Sequence, residues 1–123
     1  MIKVVTHEPQ ALEKLRIAFR ACPADFEALQ REIETGRVSL YELWGDKYSV
    51  TVAGEVIGEN YFLWGVAGQG IVPAIRELSH IVKRAGLSGI SAKTYFPALA
   101  RLVTKLNLST SPSGDITELM MKV

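Results

Sequence analysis

Few side chains in this 123-residue chain carry reactive chemistry, and they are scattered. Three carboxylates stand out. Glu42 interrupts an otherwise apolar run, VSLYELW (38–44), while Glu55 and Glu59 flank the loop GEVIGE (54–59). A carboxylate in such a place can take a proton from a bound group directly or through water. His7 sits at a strand-to-helix junction and His80 in a helix beside Ile81. Neither has a second ligand at metal spacing, so no metal site is expected. Cys22, next to Pro23, has no local histidine to make it a nucleophile. As the lone cysteine it forms no internal disulfide and suits a reducing compartment.

The stretch GVAGQGIVPAIRELSHIVKRAG (65–86) offers a different chemistry. It passes from an apolar strand through a glycine-bearing turn into an amphipathic helix. Unpaired N–H groups at a helix start, with the helix dipole behind them, make a site for anions. Gly65, Gly68 and Gly70 let backbone approach closely. The N–H groups of Gly68, Gln69, Gly70 and Ile71 are the expected cradle, Gln69 adds a side-chain donor, and Arg76 supplies a counter-charge one turn on. On that reading Gly70→Asp blocks the anion and spares the fold. The alternative is a plain strand-to-helix corner shaped by Gly and Pro.

The elements that must position these residues are read from hydrophobic period. IKVVT (2–6) is strand-like, and Leu12, Leu15 and Phe19 recur at helical spacing over 9–21. Phe26, Leu29 and Ile33 share one face of a second helix closed by Gly36. Strands follow at 38–44, 47–53 and 60–66, the last apolar on both faces as a central strand is. Pro73 opens a helix through Ala85, with Leu78 and Val82 inward. A strand at 88–95, a helix from Pro97 burying Leu99 and Leu102, and a final strand entered through the turn SPSGD (111–115) complete the chain. Tyr41, Trp44, Tyr61 and Trp64 fill the core, line a groove for an acceptor, or form a protein-binding surface. The order β-α-α-β-β-β-α-β-α-β, an antiparallel meander followed by a β-α-β crossover, predicts one α+β domain with a mixed sheet rather than a doubly wound one.

Composition narrows the partners. Fourteen basic against thirteen acidic residues leave +1, so neither nucleic acid nor an anionic membrane is expected. No apolar run nears the ~20 residues of a membrane span, and MIKVVTHEP lacks the build of a signal peptide. A cytoplasmic monomer or homodimer is the expectation.

This element order resembles the acyl-CoA N-acyltransferase fold of the GNAT superfamily over nearly the whole chain. It is also similar to the small acetyltransferase-like proteins of tailed bacteriophages. LVTKLNLS (102–109) resembles the helix end that reads LYEKLGF in that superfamily, with Leu102, Lys105 and Leu106 matching and Asn107 at the glycine. The resemblance implies acetyl-CoA as cofactor. Its pantetheine arm would lie along the strand carrying Trp64 and Val66, and its pyrophosphate would meet Gly68, Gln69, Gly70, Ile71 and Arg76. It implies transfer to an amine with a carboxylate base, Glu42, Glu55 or Glu59. Two departures are plain. Starting from Gln69, the superfamily's Gln-x-x-Gly-x-Gly places Val72 and Ala74 at the glycines with Pro73 between them. Val103 stands where a tyrosine protonates the leaving thiolate, and Tyr95 is the nearest phenol in sequence to replace it. These departures predict a degenerate site with at most weak N-acetyltransferase activity. The alternative is a non-catalytic member that contacts a host or virion protein and keeps the fold only.

Overall fold

The computed structural model describes residues 1–20, 23–94, 109–113 and 116–123. β1 (Ile2–Val4) leads to α1 (Pro9–Leu15), a 3-10 turn (Arg16–Phe19) and α2 (Pro23–Glu34). The meander is β2 (Ser39–Gly45), β3 (Tyr48–Ile57) and β4 (Asn60–Gln69). α3 (Ile71–Arg84) carries the chain to β5 (Gly89–Thr94), and β6 (Ser109–Ser113) and β7 (Ile116–Lys122) follow. The seven strands among the described residues join one sheet in the order β1-β2-β3-β4-β5-β7-β6. Every neighbour is antiparallel except β4 and β5, which run parallel because α3 returns the chain between them. The fold is α+β with a mixed sheet, as the periodicity predicts.

Alternation along the strands gives the sheet two apolar faces, each covered by helix. Val50 and Val52 of β3 join Leu43, Tyr61, Leu63 and Ile90 under Ala74, Ile75, Leu78 and Val82 of α3. On the other face, Leu40 and Ala53 join Val5 and Val38 under Ala11 and Leu15 of α1 and Phe26, Leu29 and Ile33 of α2. The expected core residues Leu63, Leu78 and Val82 are buried. Leu99, Leu102 and the helix read from Pro97 lie outside the described residues.

Several boundaries differ from the sequence reading, each for a local reason. The helix over 9–21 is α-helical only to Leu15 and then tightens to a 3-10 turn, which lays Phe19 and Ala18 against Gly65 of β4. β3 extends to Ile57, through residues read as loop, because the β-branched Val56 and Ile57 carry the ladder on to a tight Gly58-Glu59 turn. α3 starts at Ile71, two residues before Pro73. Proline fits its first turn because N–H groups there have no intrahelical acceptor. Residues 109–113, partly read as turn, form edge strand β6, where Pro112 is tolerated because one side of the strand needs no partner.

Candidate functional site

The sheet opens at its centre. β4 and β5 pair only from Asn60–Gly89 to Leu63–Ala92. Beyond that point Trp64–Gln69 of β4 have no partner on the β5 side among the described residues, and Lys93 and Thr94 of β5 pair with β7 alone. The cause is visible on the other edge of β4. Ala53 pairs with Gly65 but Gly54 pairs with Leu63, so Trp64 is an extra residue, a β-bulge. A bulge bends and twists its strand, which turns β4 away from β5. It also shifts the pleat. Tyr61 and Leu63 face the α3 cluster before it and Val66 faces that cluster after it, while Trp64 and Ala67 pack on the α1–α2 side. Gly65 is required there, since a Cβ would stand 2.9 Å from the Phe19 ring.

The open edge of β4 ends at the start of α3, about 20 Å from Trp64 at the usual rise per residue. Gly70 caps the helix in the left-handed region, φ 73°, with no side-chain cap, and its carbonyl accepts the Ala74 N–H at 3.0 Å. Ile71 and Val72 carry first-turn N–H groups without intrahelical acceptors; Pro73 carries none. Gln69 is exposed at the end of β4, and Arg76 is exposed on α3. Val66 and Ile71 are half-buried against the α3 cluster.

The glycines here have a packing role that sequence alone does not reveal. Gly68 (φ 135°) and Gly70 lie so close to the β2–β3 hairpin that a Cβ would fall on the carbonyl oxygens of Ser49 and Lys47. Gly70→Asp is therefore no clean probe of anion binding, contrary to the sequence-based expectation. It collides with backbone and needs a φ that L residues avoid.

The carboxylates read from the sequence do not converge. Glu42 is half-buried on β2 and ion-paired to Lys14 Nζ of α1 at 3.3 Å. It shares a cross-strand row with Thr51 and Ala67, two strand spacings, or about 10 Å, from β4. Glu59 is exposed in the β3–β4 turn, at the far end of β4 from Gly70, and its carbonyl accepts the Ser88 N–H at 2.7 Å. Tyr95 and Val103 lie outside the described residues, as does Cys22. Of the three carboxylates read from the sequence, Glu55 is the one bonded to the unpaired stretch of β4. It is half-buried, sits opposite Phe62, and accepts the Trp64 indole N–H at 3.4 Å. Its closeness to Trp64 depends on β3 running on past it and on the bulge, and neither shows in residue spacing. The signal that was there is the β-branched pair Val56–Ile57 just beyond Glu55.

The aromatics separate by face. Tyr61 is buried at 7% exposure over Gly54, and its hydroxyl has no hydrogen-bond partner among the described residues. Burial, and secondarily the neighbouring Tyr41, pushes its phenol pKa well above the ordinary value, so it stays neutral. Tyr41 packs half-buried on the same cluster, while Trp44 is 37% exposed at the end of β2. Among the described residues no group of three His, Cys, Asp or Glu could hold a metal ion. No described helix is long and apolar enough to cross a membrane. His7 lines a separate open hollow of about 470 Å³ between Val4–Glu8 and the end of α2.

No protein-family model and no curated protein sequence matches the chain. Solved structures do. An acetyltransferase of Bacillus subtilis crystallised with CoA superposes with TM-score 0.66 at 13% identity, over 99% of this chain and 97% of that one. The ribosomal-protein-S18-alanine N-acetyltransferase of Escherichia coli superposes at 0.62 and 13%, over 100% and 94%. A Desulfovibrio desulfuricans protein described as a GNAT-family acetyltransferase superposes at 0.64 and 12%, over 100% and 97%. The chain thus has the GNAT, or acyl-CoA N-acyltransferase, fold from end to end, at identities that show fold and not activity.

Proposed function

We propose that this chain binds acetyl-CoA in the fork of its sheet and is a weak N-acetyltransferase acting on a primary amine. The observation that carries this reading is the bulged, unpaired edge of β4 from Trp64 to Gln69, which leads to the first turn of α3. Backbone groups on alternate residues of that edge point into the fork and suit the amide-bearing pantetheine arm. The N–H groups of Ile71 and Val72, with Gln69 and Arg76 beside them, suit the pyrophosphate. The coenzyme would supply an acyl group activated as a thioester for transfer to the amine nitrogen. The chain's own part is to position that group along a rigid edge and to hold an anion at a helix start.

One observation favours a second reading, a non-catalytic member that docks on a host or virion protein. Gly68 and Gly70 are already explained by the hairpin they touch, and Pro73 removes one N–H from the turn. Calorimetric titration with acetyl-CoA separates the two. The cofactor reading expects heat and a rise in Tm, with about 2.7 kcal/mol of added stability at 100 times Kd. Gln69→Glu, at an exposed position, should weaken that binding without moving the Tm of the free protein. No heat and no shift at millimolar acetyl-CoA would leave the turn a corner only.

A further inference from the structure

The outer side of β1 has no partner strand among the described residues. Met1 exchanges both backbone bonds with Trp44, and the Val5 N–H donates to the Leu40 carbonyl at 2.8 Å. Bonded pairs alternate along an antiparallel ladder. Lys3 therefore also turns its backbone groups to β2, whereas those of Ile2 and Val4 point out of the sheet. Two N–H groups and two carbonyls are thus presented in a row. The strand stops just beyond them, where the Val5 carbonyl accepts the Glu8 N–H at 3.0 Å.

The side chains of this edge are apolar on both faces. Ile2 and Val4 are exposed opposite Leu43 and Tyr41 and so extend the α3 face of the sheet. Met1, 78% exposed, alternates with Lys3 and Val5 on the other face. Beside Val5 opens the hollow of about 470 Å³, lined there also by Ile33 and Val38. The strand therefore carries an apolar knob at one end and an apolar hollow at the other. A two-fold axis through Lys3, with the strands antiparallel, brings each knob to the other copy's hollow.

We propose that this edge receives a second copy of the chain, with the two β1 strands pairing antiparallel about Lys3 and joining two sheets into one. In that register Ile2 of each copy meets Val4 of the other, and all the outward backbone groups are bonded. Met1 comes opposite Val5 of the other copy, where its flexible thioether side chain reaches the hollow. Lys3 faces its own copy on the axis. A lysine on a short edge strand discourages pairing when it stands alone. Here each ammonium has Glu8 at 3.8 Å and Glu42, shared with Lys14, across the ladder, so carboxylates flank both cations and Glu8 of each copy can bridge to the other's Lys3. A three-residue strand pair is at the small end of specific interfaces, and the dimer dissociates on dilution. The interface lies three strands from β4 and does not depend on the coenzyme reading.

Sedimentation equilibrium on the full chain should show the mass rising with concentration from 13.5 kDa toward twice that value. Val4→Pro removes an outward N–H that the β1–β2 ladder does not use. It should weaken dimerisation by about tenfold or more and leave the Tm of the dilute protein unchanged. If that variant does not fold, Val4→Lys, at an exposed edge position, should do the same. Register is read by cysteine cross-linking in a Cys22→Ser background, with diamide as the oxidant. Facing residues of a non-bonded pair stand about 4.5 Å apart at Cα, so Lys3→Cys should form a disulfide dimer. Ile2→Cys, two residues out of register with its own copy, should not. A chain that stays at 13.5 kDa up to millimolar concentration, a dimer that survives in the folded Val4 variant, or Ile2→Cys cross-linking as fast as Lys3→Cys overturns the proposal.

Discussion

Replacing Gly54 by alanine tests the core of the sheet without touching the fork's open edge. Gly54 has an ordinary φ, so the substitution carries no backbone strain, only a collision. The new Cβ would overlap the Tyr61 ring, standing 2.6 Å from its Cε2. Tyr61 cannot swing clear easily, because it is 7% exposed and packed among Leu63, Leu78, Val82 and Ile90. Overpacking of this kind costs about 1–3 kcal/mol. Tyr61→Leu removes the obstructing end of the ring together with its orphan hydroxyl, at the expense of buried area. The two changes therefore should not add. In urea denaturation followed by far-UV circular dichroism, Gly54→Ala should be well tolerated in the Tyr61→Leu background, with a coupling of about 1–3 kcal/mol. A Gly54→Ala loss below about 0.5 kcal/mol, or strict additivity of the pair, would refute the packing described here.

Two further outcomes follow from single residues. The Tyr61 phenol has a raised pKa in the folded state, so the unfolded chain loses this proton first as pH climbs above its ordinary value near 10. The sign is therefore destabilising above that pH, by about 1.4 kcal/mol per unit from this group, with no effect below it. Tyr61→Phe should flatten that part of the alkaline limb and raise stability at neutral pH by relieving an unsatisfied hydroxyl; an unchanged limb would contradict the burial. Gly70→Ala and Gly36→Ala separate left-handed strain from contact. Both have φ near 80°, but nothing lies within 4 Å of a Cβ at Gly36, whereas at Gly70 it strikes the Lys47 carbonyl. Gly36→Ala should lower stability by about 1 kcal/mol and Gly70→Ala by clearly more, read as Tm in the same buffer. Equal losses would mean that the β4 end does not press on the hairpin.

How far the sequence reaches can be judged from particular residues. Short-range period was enough for the alternation of Tyr48, Val50 and Val52, the stripe of Leu78 and Val82, and the pairing of a meander with a β-α-β crossover. These are properties of neighbours in the chain, set by strand pleat and helix pitch, and the element order they predict is that of the GNAT fold. The turn at 65–74 was legible as a place where strand meets helix, but not for the right glycine reasons. That Gly68 and Gly70 must be bare because Ser49 and Lys47 lie beneath them depends on residues some twenty positions away. The fork is likewise tertiary. It needs the register slip at Trp64, the end of the β4–β5 ladder at Leu63, and the joining of Glu55 to Trp64 across a hairpin whose strands run further than their composition suggests. Residue types along the chain determine which segments pair and which faces are apolar. Which of the three carboxylates meets the unpaired stretch of β4 is decided only when the strands take register, because one extra residue moves every later side chain to the other face.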